Sequence, residues 1–296
     1  VEAYQQVLNR YPRSSYIIQA INGIQYAQLS SGKMDSSSVI LEEFLSDNPQ
    51  SNTADRLRFR QAENTFQSGD YPTAIREFRQ YLRVTNSDQL VPQVYANLGE
   101  SYKQIGEEDK AIEAYELILS DFPQSNQAPG ALTSLGLLYF EKAEYEASNR
   151  YFNRLLTISN RFQQEAYVGM GNAKLGQSNF VEAKDQFEAA LQINPNNANA
   201  QLGLAKVTFG QSNYTEAHDL LFAIADRNTT ELGAESQYLL GITRKMEGNS
   251  TLALEEFAKV KVLFEAFDEW VSAALYDAAQ IHLNLGNTGE AFSMLN

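Results

Sequence analysis

With 296 residues, 43% of them apolar and 11% aromatic, the chain is long enough for two ordinary domains or one elongated array, and too apolar for disorder. Its 23 basic and 37 acidic residues leave a net charge of −14, which disfavours general nucleic-acid binding. The absence of cysteine excludes disulfides, thiolate metal sites and cysteine nucleophiles, and no apolar run approaches the roughly 18 residues of a membrane span.

In chain order, the first element is residues 4–14, "YQQVLNRYPRS", a helical run stopped at Pro12, whose ring cannot continue a helix. The phrase returns as "LEEFLSDNPQS" at 41–51, "FRQYLRVTNSD" at 78–88 and "YELILSDFPQS" at 115–125. Further copies are "FNRLLTISNRF" at 152–162 and "FEAALQINPNN" at 187–197, with weaker ones from Leu221, Phe257 and Leu295. The nine starts lie 34 to 38 residues apart, which marks an internal repeat.

A second pattern fills the gaps. In "YANLGESYKQIGEEDKAIEAY" (95–115), Tyr95, Leu98, Gly99 and Tyr102 share one helical face. A turn around Gly106 follows, then a second helix with Ala111, Tyr115 and Ile118 on one side, ended by Pro123. The small Gly99 and Ala111 let two antiparallel helices approach closely, while Tyr102 and Tyr115 fill the space beside them.

On these residues the chain resembles the tetratricopeptide repeat family, whose pattern sets an aromatic, Leu-Gly, Tyr, Ala, a second aromatic and Pro at fixed offsets. Tyr95, Leu98, Gly99, Tyr102, Ala111, Tyr115 and Pro123 match in one repeat; Leu135, Gly136, Tyr139, Tyr145 and Phe152 match in the next, with Ser148 replacing the usual Ala. Tyr167, Gly171, Ala183, Phe187 and Pro195 follow, then Tyr214 and Ala217, then Leu240, Gly241, Ala253 and Phe257. The "YPxS" break and the 37-residue pitch are similar to those of the bacterial cell-envelope branch, namely periplasmic proteins of the Tol–Pal type and outer-membrane assembly lipoproteins.

The resemblance implies an all-α fold, a right-handed superhelical solenoid of stacked antiparallel helix pairs. One such solenoid would run over 1–296: a half repeat at 1–15, repeats at about 16–51, 55–88, 92–125, 129–162, 164–197, 198–231 and 234–267, and a partial repeat at 272–296. Three departures stand out. The first full repeat has a turn about two residues too long, Ala62, Ala205 and Ala279 replace the usual Gly, and "AKVKVLFEAFDEW" lacks the terminal Pro and is read as extending its second helix. Both ends fall inside a repeat, so the chain is expected to be a segment of a longer array, with any targeting segment outside it.

By the same resemblance, the expected function is a non-enzymatic scaffold, without cofactor, that binds a partner protein or peptide in its concave groove. A periplasmic or outer-membrane-associated setting is favoured over a cytoplasmic one. The alternatives are a substrate-recruiting region of a larger enzyme or signalling protein, and a self-associating array. Projecting the repeat register places Phe59, Glu63, Phe66, Glu100, Lys103, Leu137, Phe140, Asn172, Lys206, Phe209, Tyr238, Lys245 and Tyr276 at the groove. A plainer account has several of the aromatics simply packing between adjacent first helices. The two-carboxylate clamp of some family members is not supported, because Val168 replaces the Lys that would partner Asn172.

One charge feature departs from the acidic background. Arg56, Arg58 and Arg60 open one helix, and Arg76, Arg79 and Arg83 lie on one face of the next. Arg56, Arg60, Arg76, Arg79 and Arg83 are therefore candidates for an anionic partner. The competing account is a solvated face laced with ion pairs to Asp55, Glu63, Asp70 and Glu77. Catalytic constellations are thin. His218, read as exposed, and His282, read as a packing residue, share no metal-ligand spacing, and no Gly-rich phosphate loop or nucleophile elbow is present.

Overall fold

The computed structural model describes residues 1–12, 14–31, 36–49, 51–158 and 160–295. Among the described residues there are seventeen α-helices, one 3-10 turn at Asn160–Phe162 and no strand. They group into two compact units, Val1–Leu135 and Gly136–Asn296.

The first unit holds α1 (Glu2–Arg10), α2 (Ile17–Ser30), α3 (Ser36–Asp47), α4 (Asn52–Gln67), α5 (Tyr71–Val84), α6 (Val91–Gln104) and α7 (Glu108–Asp121), with the first half of α8 (Ala128–Glu141). The second holds the rest of α8, α9 (Tyr145–Ile158), α10 (Gln163–Gly176), α11 (Phe180–Ile193) and α12 (Ala198–Gly210). It continues with α13 (Tyr214–Ala225), α14 (Glu231–Met246), α15 (Ser250–Leu263), α16 (Asp268–Asn284) and α17 (Thr288–Leu295). Even-numbered helices are the first of each pair and odd-numbered ones the second, so each unit is the solenoid of helix pairs that the repeat implies.

One turn is reused in every pair from α4 onward. Gly69, Gly106, Ala143, Ser178, Ser212, Gly248 and Gly286 all carry φ between 57° and 82°, the left-handed region. These seven positions follow one another at the repeat's own spacing. Behind this residue the chain reverses, and in the pairs from α6 onward the next amide reaches back to the first helix: Glu107 N–H donates to Tyr102 O at 2.9 Å and Asn179 N–H to Lys174 O at 2.9 Å. That bond satisfies a carbonyl the helix end would leave orphaned. Asp70, Asn179 and Asn249 then cap the second helices by accepting from the amides of Thr73, Glu182 and Leu252.

Packing within a pair follows from size complementarity. A second-helix aromatic inserts where the first helix has glycine: Tyr115 lies on Gly99, Phe152 on Gly136, Phe187 on Gly171 and Phe257 on Gly241. In the second unit the same rings also meet the next first helix, Phe152 at Gly169 and Phe187 at Gly203. Phe152 and Phe187 are fully buried, each contributing about 2–3 kcal/mol of burial free energy.

Two sequence expectations meet the structure here. The second helix of the 234–267 repeat does not run on: α15 ends at Leu263, Phe264 caps it, and α16 starts at Asp268. Phe264 is buried at the break and its carbonyl accepts from Phe267 N–H at 3.0 Å, so a packed aromatic turn does the work that Pro does elsewhere. The long first turn falls on residues 32–35 and lies outside the described residues.

Candidate functional site: the face of the first helices

In the first unit α2 touches α4 and α4 touches α6; in the second α10, α12, α14 and α16 touch in succession. Each unit therefore presents a continuous face built of first helices; the sequence-derived candidates fall on these helices and, for Leu137 and Phe140, on the first helix α8.

In the first unit, Phe59 turns inward. It is only 9% exposed, with its ring 6.3 Å from Phe78 and 6.1 Å from Tyr81. Phe66 is half-buried against Tyr71 at 5.8 Å. Glu63, Glu100 and Lys103 are half-buried. Glu100 accepts from Gln104 Nε2 at 2.7 Å and, more loosely, from the Tyr115 hydroxyl at 3.4 Å. Burial, with the Glu100 charge beside it, pushes the Tyr115 hydroxyl up to about 12.

In the second unit, Leu137 and Tyr276 are open, at 42% and 58% exposure. Phe140 leans on Tyr145 and Phe209 on Tyr214, both at 5.5 Å, repeating the Phe66–Tyr71 contact: an aromatic at the end of the first helix closes over the first residue of the second. Asn172 is half-buried, and the neighbouring Val168 packs against the Phe187 cluster. Lys206 is ion-paired with Glu235 of α14. Tyr238 stands between Phe257 and Trp270, 5.8 Å and 5.7 Å away, and donates its hydroxyl to Asp277 at 2.8 Å. Lys245 donates to the other oxygen of Asp277 at 2.7 Å. Burial and the Asp277 carboxylate hold the Tyr238 hydroxyl protonated far above its ordinary range.

Lys206–Glu235 thus ties α12 to α14, and Asp277 ties α16 to α14 through two side chains. Glu235, Trp270 and Asp277 did not emerge from the sequence. Their only signal was position in the repeat register, because each belongs to the first helix that follows its partner's.

The arginines separate. Arg58 turns inward and donates to Leu45 O and Pro49 O, each at 3.0 Å, closing the C-terminal end of α3. Arg56 and Arg60 are exposed on α4; Arg76, Arg79 and Arg83 are exposed on α5. Both sets lie on faces turned away from the core that α4 and α5 share through Ala62, Ala74 and Phe78. Asp55 accepts from the Tyr81 hydroxyl at 2.7 Å, Asp70 caps α5, and Glu77 accepts from Gln61 at 3.4 Å. Glu77 also lines an open cleft of about 570 Å³ between α3, α4 and α5, together with Leu45, Arg58 and Tyr81.

His218 is half-buried rather than exposed: its Nε2 lies 2.8 Å from Arg244 Nη2, and its ring stacks on Phe222. Among the described residues no group of three His, Asp or Glu could hold a metal ion, and no helix is long and apolar enough to cross a membrane.

Helix pairs with this turn, this aromatic-on-glycine packing and a continuous first-helix face define a tetratricopeptide-repeat solenoid, a class of protein–protein interaction scaffold. A tetratricopeptide repeat family model matches residues 174–236. A second model, YfiO, described as outer membrane lipoprotein, matches residues 1–158, and the chain belongs to that family.

Among solved structures, a tetratricopeptide repeat protein from Parabacteroides merdae superposes with a TM-score of 0.61 at 17% identity, covering 93% of this chain and 100% of that one. PilW, titled a widely conserved type IV pilus biogenesis factor, superposes with a TM-score of 0.60 at 21% identity, covering 76% of this chain and 100% of that one. Among curated proteins, the general transcriptional corepressor trfA of Dictyostelium discoideum is 31% identical over 103 residues, 35% of this chain. The chain spans between 7% and 60% of the length of the curated relatives it matches.

Proposed function

We propose that the chain is a non-enzymatic scaffold that holds a segment of a partner protein in the concave groove formed by its first helices, in assembly at the bacterial cell envelope. The observation that carries the reading is the make-up of the first-helix face in the second unit. Leu137 and Tyr276 offer open apolar surface there, while Lys206 is held by Glu235, and Asp277 is held by Lys245 and Tyr238. A face whose charged side chains are already ordered loses little further freedom on binding, so a docked segment meets a low ordering cost. The Phe140 and Phe209 rings add half-buried edges on α8 and α12, and Phe66 supplies a similar edge on α4 within the first unit. The envelope setting is supported by membership of the outer membrane lipoprotein family.

Photo-crosslinking residues placed at Leu137 and at Tyr276 test this reading, with Val262, exposed on a second helix, as the comparison position. Both first-helix positions are expected to capture the same partner, and Tyr276→Glu to abolish its capture from Leu137. Capture from Val262 alone would exclude the groove.

A further inference from the structure

We infer that Arg76, Arg79 and Arg83 form a docking row on α5 for an acidic helical segment of a partner protein, a surface separate from the first-helix groove. The three residues fall at i, i+3 and i+7 of a single helix and are all exposed, which sets their guanidinium groups in a row roughly 10 Å long. None of them has an ion-pair or hydrogen-bond partner among the described residues. Elsewhere in this chain of net charge −14, Lys110, Lys174, Lys184, Lys206, Lys245 and Lys259 each hold a carboxylate, whereas Arg56 and Arg60, like the row, hold none among the described residues.

Folding is what leaves the row uncompensated. Asp88, just past the end of α5, is exposed and holds none of the arginines. Of the four carboxylates on α4, α5 and the turn between them, three are engaged elsewhere: Asp55 by Tyr81, Asp70 as the cap of α5, and Glu77 by Gln61 beside the cleft. The remaining one, Glu63, is half-buried on α4. Three like charges on one helix face repel one another, and a matching set of anions relieves that repulsion. Guanidinium groups bind carboxylates bidentately, and carboxylates spaced i, i+3 and i+7 on a facing helix repeat the row's own period.

A lipid surface fits less well. The exposed positions between the arginines offer Gln80 and no aromatic or long aliphatic side chain for insertion, and an anionic bilayer repels the acidic remainder of the chain.

Fluorescence anisotropy on the full chain decides the matter. The probe is a labelled, end-blocked Ala/Gln helical peptide with Glu at i, i+3 and i+7. The wild type is expected to bind it and to weaken roughly tenfold as salt rises from about 50 to about 200 mM. Arg76→Gln/Arg79→Gln/Arg83→Gln should lose at least about tenfold with an unchanged circular dichroism spectrum. Arg56→Gln/Arg60→Gln should bind as the wild type does. Equal binding by the triple variant overturns the proposal. So does equal binding of a peptide with its glutamates scattered around the helix, or arginine-dependent binding to anionic phospholipid vesicles without binding to the peptide.

Discussion

The ring of Phe187 on α11 lies so close to Gly203 on α12 that a Cβ on the glycine would collide with it. Helix propensity alone predicts that Gly203→Ala gains about 1 kcal/mol. The fully buried ring cannot move aside, so overpacking of about 1–3 kcal/mol wins and the variant is destabilised. The neighbouring pair shows the alternative solution, since Ala205 is accommodated in a core where the second helix supplies Leu221 instead of an aromatic. Phe187→Leu introduced with Gly203→Ala should therefore cost less than the two single changes added together. Urea unfolding of the four proteins measures that coupling; strict additivity would remove the steric argument.

The shared left-handed turn makes the opposite prediction for residues that are not glycine. Ala143, Ser178 and Ser212 adopt φ of 57°, 57° and 63°, where glycine stands in four other repeats. An L-residue there carries roughly 1–2 kcal/mol of strain, and glycine's extra freedom in the unfolded chain returns about half of that. Each change to Gly should stabilise by a few tenths to about 1 kcal/mol, and Gly106→Ala should destabilise by a similar amount. Thermal unfolding reads both directions; a loss of stability in all three glycine variants would show that the turn does not require this conformation.

Much of this was legible in the sequence because it is local. The 34–38-residue spacing, the Gly99–Tyr115 pairing and the turn at Gly106 depend on residues within one helix pair, where a 3.6-residue period fixes which side chains meet. What joins one pair to the next was not legible. Tyr238 and Asp277 are 39 residues apart, and their bond depends on the rotation of α16 against α14, which no periodicity within either helix sets. The end of α15 was missed for a related reason: a buried Phe264 stops the helix through tertiary packing, without the Pro that sequence reading relies on.

Tyr81 links α5 to α4 through its bond to Asp55 and gives a pH signature. Burial, with the Asp55 carboxylate beside it, pushes its hydroxyl up to about 12, above the ordinary value of 10.0. The folded state therefore keeps a proton that the unfolded chain gives up. This contribution to stability is fully present below pH 10 and is lost as pH rises to about 12. Tyr81→Phe should lower stability by about 1–2 kcal/mol at neutral pH, the worth of a hydrogen bond to a charged acceptor. It should also remove one late-titrating phenol from the ultraviolet absorbance curve. A curve identical to wild type would place the high-pKa phenol elsewhere.

The fate of the Arg56, Arg58 and Arg60 triplet gives the last test. Residues two apart on a helix point in nearly opposite directions, so one member of the triplet must face inward when its neighbours face out. Here it is Arg58, whose two nitrogens take the carbonyls of Leu45 and Pro49 at the end of α3. Those carbonyls have no intrahelical donor, and a cation at a helix C-terminus also opposes the negative end of its dipole. Arg58→Ala should cost about 1–3 kcal/mol, because it leaves the partly buried Leu45 carbonyl unpaired. Amide exchange should then accelerate in α3 before it does in α6 and α7. Arg58→Lys should recover only part, since one ammonium cannot reproduce the two-pronged geometry. Arg56→Ala, on the exposed side of the same helix, should change stability by less than about 0.5 kcal/mol. Equal effects at positions 56 and 58 would mean that the division of the triplet between an inward clasp and an outward charge is mistaken.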